Sequence, residues 1–206
     1  MKVLLINGSP HKDGCTFTAL NEVAKTLEKN GIESEIFQIG TKPIAGCIAC
    51  GKCSQLGKCV FDDKVNEILA RCDEFDGVVI GSPVYYAGPS GQIRAFLDRL
   101  FYAGGRRFAG KPGAAVVSCR RGGATAAFDQ LNKYFTISSM PIVSSQYWNQ
   151  VHGSYAEQVF QDEEGMQTMR TLGNNMAWLL KCIEFGKNNG LQHPVPEVKI
   201  RTNFIK

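Results

Sequence analysis

The stretch from Lys2 to Thr18, KVLLINGSPHKDGCTFT, decides the fold. Lys2 to Asn7 is a short continuous apolar run with no polar alternation, the pattern of a strand buried on both faces, as parallel sheets require. Gly8 to Gly14 mixes glycine, proline and aspartate and reads as a loop. From Thr16 to Asn30 the residues Leu20, Val23, Ala24 and Leu27 recur at helical spacing, so strand, loop and helix follow one another without a break.

The alternation continues along the chain. Residues 32–39, 76–81 (DGVVIG) and 113–118 (GAAVVS) read as further strands, with a fifth expected near residues 142–147. Helical patterns cover residues 63–72, 89–102, 124–137 and 163–185. Five strands alternating with five helices predict an α/β protein with a doubly wound, five-stranded parallel sheet and helices on both faces.

At 206 residues and 44% hydrophobic composition the chain can bury one sizeable core, so residues 1–187 are expected to form a single domain. The remainder, residues 188–206, carries Asn-Gly and two closely spaced prolines and reads as an extended arm. Val195, Val198, Ile200 and Phe204 equip it to pack on a neighbouring subunit or on its own. The net charge of +4 is spread without a block of like charges, which favours neither nucleic acid nor a membrane surface. No apolar run approaches the roughly 18 residues needed to span a bilayer. With its thiols reduced, the protein is expected in the cytoplasm.

Ligands of such sheets bind at the carboxyl ends of the strands, so the loops there carry the functional expectation. The first loop, Asn7 to Thr18, sets Ser9, Thr16 and Thr18 before a fresh helix N-terminus, whose unpaired N–H groups suit a phosphate. Its alternative reading is a capped turn with Thr16 or Thr18 as N-cap. It lacks the G-x-G-x-x-G and G-x4-G-K-[ST] fingerprints of dinucleotide and nucleotide sites. The second loop, Ser82 to Gln92, joins tyrosines to glycine and offers a flat surface for a planar heterocycle, or a cover for the core edge. The third, Ser118 to Gly123, holds two arginines that either meet phosphate or face water.

Four of the eight cysteines crowd into CIACGKCSQLGKC, from Cys47 to Cys59. A C-x2-C-x2-C run with a fourth cysteine close by suits a cubane iron–sulfur cluster. A zinc site and a loop of empty or redox-active thiols stay open beside it. The dispersed Cys15, Cys72, Cys119 and Cys182 are expected to be packed thiols.

Together the NGSPHKDGCTFT loop, the SPVYYAGPSGQIRAFLDR segment and the C-x2-C-x2-C-x5-C insert resemble the flavodoxin-like NAD(P)H-dependent FMN reductases, and within them the iron–sulfur flavoproteins. The resemblance implies a flavodoxin-like strand order, 2-1-3-4-5. It implies that Ser9, His11, Thr16, Phe17 and Thr18 surround the FMN phosphate, and that Pro83, Val84, Tyr85, Tyr86 and Gly88 line the ribityl chain and ring. Ser118, Arg120, Gly122 and Gly123 would lie along the ring's other edge, and Cys47, Cys50, Cys53 and Cys59 would hold a [4Fe–4S] cluster.

The expected activity is FMN-dependent oxidoreduction between a reduced donor and a small acceptor, with NAD(P)H or a ferredoxin-like protein as donor. A cluster-free NAD(P)H-dependent reductase of flavin or quinones is the second reading, and a non-catalytic flavin- or metal-binding module the third. A homodimer or homotetramer is expected, with Trp148 and His152 as candidates for the pocket rim.

Overall fold

The computed structural model describes residues 1–204. Five parallel strands form the sheet: β1 (Lys2–Asn7), β2 (Glu33–Gln38), β3 (Gly77–Tyr85), β5 (Gly113–Cys119) and β6 (Gln150–His152). Their spatial order is β2-β1-β3-β5-β6, and the two-residue β4 (Gly88–Pro89) turns back antiparallel onto β3. Without that hairpin the order is the expected 2-1-3-4-5. The helices are α1 (Cys15–Lys29), α2 (Cys53–Leu56), α3 (Lys64–Arg71), α4 (Gly91–Gly104), α5 (Ala124–Ile137), α6 (Ala156–Gln161) and α7 (Glu163–Asn188).

Because strand side chains alternate in direction, the apolar run of β1 feeds two cores. Leu4 and Ile6, with Val78, Ile80, Ala115 and Val117, pack against α3, α4 and α5 through Ile68, Phe96, Leu97, Leu100 and Phe135. Val3 and Leu5, with Val79, Ala114 and Val116, pack against α1 and α7 through Leu20, Val23, Met169 and Leu172. Each such side chain, fully removed from water, contributes about 1.5–3 kcal/mol. The apolar stripe of α4 is thus spent on the sheet.

The fifth strand lies later than expected. Ile142 makes one isolated bridge to Gly113, and the paired segment is Gln150–His152, in register with Val117–Cys119. Between them the chain leaves the sheet, with the Tyr147 and Trp148 rings packed edge to face. Among the described residues the arm after α7 has no helix or strand, and the His193 ring lies against Gly110 of the same chain. Its side chains Val195, Val198, Ile200 and Phe204 are exposed, and its last two residues lie outside the described residues.

Candidate functional site

The carboxyl ends of β1, β3 and β5 bring the three loops together. Gly8 N–H donates to the Gly81 carbonyl at 2.8 Å, and the Ser90 hydroxyl donates to the Gly8 carbonyl at 2.9 Å. A Cβ on Gly8 would stand 2.7 Å from Ile93 and 2.8 Å from the Gly81 carbonyl oxygen, so the approach requires glycine. Thr16 Oγ1 and Ser118 Oγ, both buried, bond to each other at 2.8 Å and fasten the first loop to the third. Gly123, at φ 90°, lets the third loop approach Ala87 of the second, where a Cβ would stand 2.8 Å from the Ala87 Cα.

Within the first loop Ser9 N–H donates to Asn7 Oδ1, and Ser9 Oγ accepts from His11 N–H, both at 3.1 Å. The Ser9 O–H is directed by neither bond. Gln38 Nε2 donates to the Ser9 carbonyl at 2.7 Å, and its Oε1 is buried without a partner among the described residues. Neither threonine caps α1. The N-cap is Gly14 with no side-chain bond, Thr18 Oγ1 donates back to the Gly14 carbonyl, and Thr16 turns to Ser118. With glycine as N-cap and no capping side chain among the described residues, the first turn of α1 presents its N–H groups in an anion-binding arrangement. His11 is exposed and Phe17 is half-buried.

In the second loop Tyr85 and Gly88 pair across a two-residue hairpin whose central residues, Tyr86 and Ala87, both have positive φ. A left-handed conformation at a non-glycine residue costs roughly 1–2 kcal/mol. The Tyr86 side chain at the tip of this hairpin is fully exposed, and Pro83 and Val84 in the strand before it are half-buried. Arg120 and Gly122 are exposed at the third loop. Beside them the buried Cys119 thiol lies 3.5 Å from His152 Nδ1, and burial pushes its pKa up, ahead of a smaller effect of Asp162. His152 thus lies beside the third loop, whereas Trp148 is exposed on the preceding segment.

The four clustered cysteines line one cavity, walled by Ile48, Val60, Phe61, Tyr102 and Ala103. Ala49, Gly51 and Gly57 take positive φ, which winds the loop between successive cysteines. Asn66 fixes its far end, accepting from Cys59 N–H at 2.8 Å and donating to the Cys59 and Phe61 carbonyls at 3.0 Å. Arg99, buried on α4, donates from Nε to Cys59 Sγ at 3.2 Å and holds the Asp63 carboxylate through both terminal nitrogens, at 2.6 and 2.9 Å. Among the described residues no three His, Cys, Asp or Glu side chains close around a single ion. A tetrahedral zinc would need all four sulfurs about 2.3 Å from one centre. A cubane instead gives each thiolate its own iron, and the donor set here, four thiols lining one cavity, is of the type such a cluster takes.

Of the remaining cysteines Cys72 and Cys119 are buried and Cys15 is half-buried, but Cys182, expected to be packed, is exposed on α7. Asn7, Gln38, Ser90, Asn66 and Arg99 were not among the candidate site residues. Their roles are to brace, and bracing depends on tertiary neighbours that spacing does not reveal.

A doubly wound sheet that gathers an uncapped helix N-terminus, an exposed aromatic hairpin and a glycine loop at the carboxyl ends of its strands defines a flavodoxin-like protein with an anion-binding arrangement where such folds bind ligands. The family model for NADPH-dependent FMN reductase matches residues 1–154, and the chain belongs to that family. An iron–sulfur flavoprotein of Methanocaldococcus jannaschii is 34% identical over 89% of this chain and 100% of its own length. Another, from Methanosarcina thermophila, is 28% identical over 89% of this chain and 97% of its own. Among solved structures, a flavodoxin from the domain Archaea superposes with TM-score 0.60 at 16% identity, covering 88% of this chain and 99% of its own. RosB with bound 8-demethyl-8-formylriboflavin-5′-phosphate superposes with TM-score 0.70 at 13% identity, covering all of this chain and 94% of its own. The protein is an FMN-dependent oxidoreductase of the iron–sulfur flavoprotein type.

Proposed function

We propose that residues 1–187 form a domain that binds FMN through Ser9, His11, Thr16, Phe17 and Thr18 at the phosphate. Pro83, Val84, Tyr85, Tyr86 and Gly88 lie along the ribityl chain and ring, and Ser118, Arg120, Gly122 and Gly123 at the ring's far edge. The observation that carries the reading is the uncapped N-terminus of α1 opening onto three mutually fastened loops. Thr16 and Ser118 act there by holding the loops in place, while Ser9 and the main-chain N–H groups face the phosphate. Bound FMN supplies a ring that accepts a hydride or single electrons. The chain's own residues bind it, orient it and exclude water on the side of the tyrosine hairpin.

Cys47, Cys50, Cys53 and Cys59 hold a [4Fe–4S] cluster in this reading, supported by the shared cavity and by the names of the relatives. Electrons then pass between FMN and a small molecule or ferredoxin-like protein, with NAD(P)H as the alternative donor that the family description favours. Unbridged thiols fit a cytoplasmic setting, and the apolar side chains exposed on the arm fit a homodimer or homotetramer. Anaerobic purification followed by counts of flavin, iron and acid-labile sulfide tests the proposal. One FMN with four iron and four sulfide per chain is expected, by the stoichiometry of such a cluster. Flavin without iron after reconstitution would leave only the reductase reading, and bleaching of the flavin by NADPH would then support it.

A further inference from the structure

Arg99 has the largest side chain among the fully buried residues, and nothing in the flavin chemistry accounts for its charge. On an amphipathic helix such as α4 an arginine is expected at the water-facing side, yet this side chain is 1% exposed. Its donors are divided among the cysteine loop's two flanks. Nη1 donates to the Ala45 carbonyl and Nη2 to the Phe61 carbonyl, each at 3.2 Å, while the fork holds Asp63. The remaining donor, Nε, goes to Cys59 Sγ, and the guanidinium plane lies 4.9 Å from the Phe61 ring centre. A guanidinium held by four acceptors has no freedom to turn away from the sulfur.

We infer that Arg99 is a positioning residue that sets the reduction potential of the group held by Cys59, with Asp63 as its counter-charge. This rests on the cluster reading above. Reduction adds negative charge that is shared onto the ligand sulfurs. A buried cation and an N–H donor aimed at one of those sulfurs stabilise the reduced form, and hydrogen bonding to sulfur is among the factors that place a cluster's potential. Asp63 opposes the effect through its own charge, damped because its side chain is 27% exposed. It is also the N-cap of α3, accepting from Val65 N–H at 3.1 Å, a role that asparagine keeps.

The two residues make predictions of opposite sign. In reconstituted, FMN-loaded protein, Arg99→Lys retains the charge but not the fork or the fixed N–H···S bond. Its cluster should be about tenfold harder to reduce, a fall of about 59 mV for a one-electron couple. Asp63→Asn should raise the potential. The measurement is an anaerobic titration followed by the cluster's electron paramagnetic resonance, with the FMN potential read in the same sample as a control that stays fixed. Unchanged cluster potentials in both variants, or shifts of the same sign, would overturn the inference. Failure of both variants to hold iron while folded would overturn it too, leaving Arg99 a clamp for the loop. Should Arg99→Lys alone lose iron, the sign of the Asp63→Asn shift decides. A wild-type protein that takes up no iron instead removes the cluster reading, and this inference with it.

Discussion

The three loops proposed to hold FMN and the cysteine loop are built by opposite means. The first three are tied to one another at their bases by Gly8 to Gly81, Ser90 to Gly8 and Thr16 to Ser118, each within a sheet edge that the core already fixes. The cysteine loop runs from the end of β2 to α3 with one helical turn of four residues, and most of its side chains face outward. It is secured at its flanks, by Asn66 at the far end and by Arg99 at both. A phosphate site made of main-chain N–H groups needs a rigid backbone before the ligand arrives, whereas four thiolates are drawn together by the metal they bind. The contrast implies that flavin binding depends on the fold and that the fold does not depend on the cluster.

Substitution of one of the cysteines proposed to hold the cluster is the severest test. Cys50→Ser should abolish incorporation of a four-iron cluster while FMN content and the thermal midpoint stay near wild type, because Cys50 is exposed and outside both cores. Loss of flavin together with iron would break the distinction between the two regions. Gly8→Ala should do the reverse, destabilising the protein by about 1–3 kcal/mol through overpacking against Ile93 and Gly81 and weakening FMN binding, with iron uptake intact. A denaturation midpoint equal to wild type would show that the close approach is not required.

Thr16→Val leaves the buried Ser118 hydroxyl without its partner and should cost about 1–2 kcal/mol. The double variant Thr16→Val, Ser118→Ala removes both polar groups and should recover much of that loss, a coupling that chemical denaturation measures directly. Additive losses would mean that the pair is not a fastening. Away from both regions, Glu35 bonds to Arg71 and Lys2, and the Arg71 guanidinium above all pulls its carboxyl pKa down to about 2 from 4.5. Its contribution is therefore complete above pH 4.5 and lost as pH falls towards 2. Glu35→Gln should lose on the order of 1 kcal/mol at neutral pH and flatten the acid limb of the stability curve. An unaltered acid limb would refute the assignment.

Much of this architecture is legible in the residues. The runs KVLLIN, GVVIG and GAAVVS have no polar alternation because both faces are covered, and the three loops after them come together at the carboxyl ends of the strands. The last strand was not legible, since Gln150-Val151-His152 offers a single apolar residue while Pro141-Ile142-Val143 advertises more. Val143 does anchor there, donating its N–H to the Gly113 carbonyl at 2.8 Å, but the chain leaves the sheet after it. The alternative reading of the first loop, a threonine cap, is absent for a tertiary reason, because the Thr16 hydroxyl is taken by a residue 102 positions away. Arg99 was hidden in the same way, its spacing on α4 being that of an ordinary surface arginine.

The grip of the α1 N-terminus on a phosphate is most directly tested by comparing FMN with riboflavin, which shares the ring and ribityl chain and lacks the phosphate. Quenching of flavin fluorescence on binding to the apoprotein gives both dissociation constants. Charge-assisted hydrogen bonds of about 1.5–3 kcal/mol predict FMN binding at least about a hundredfold tighter. Equal affinities for the two flavins would contradict the account.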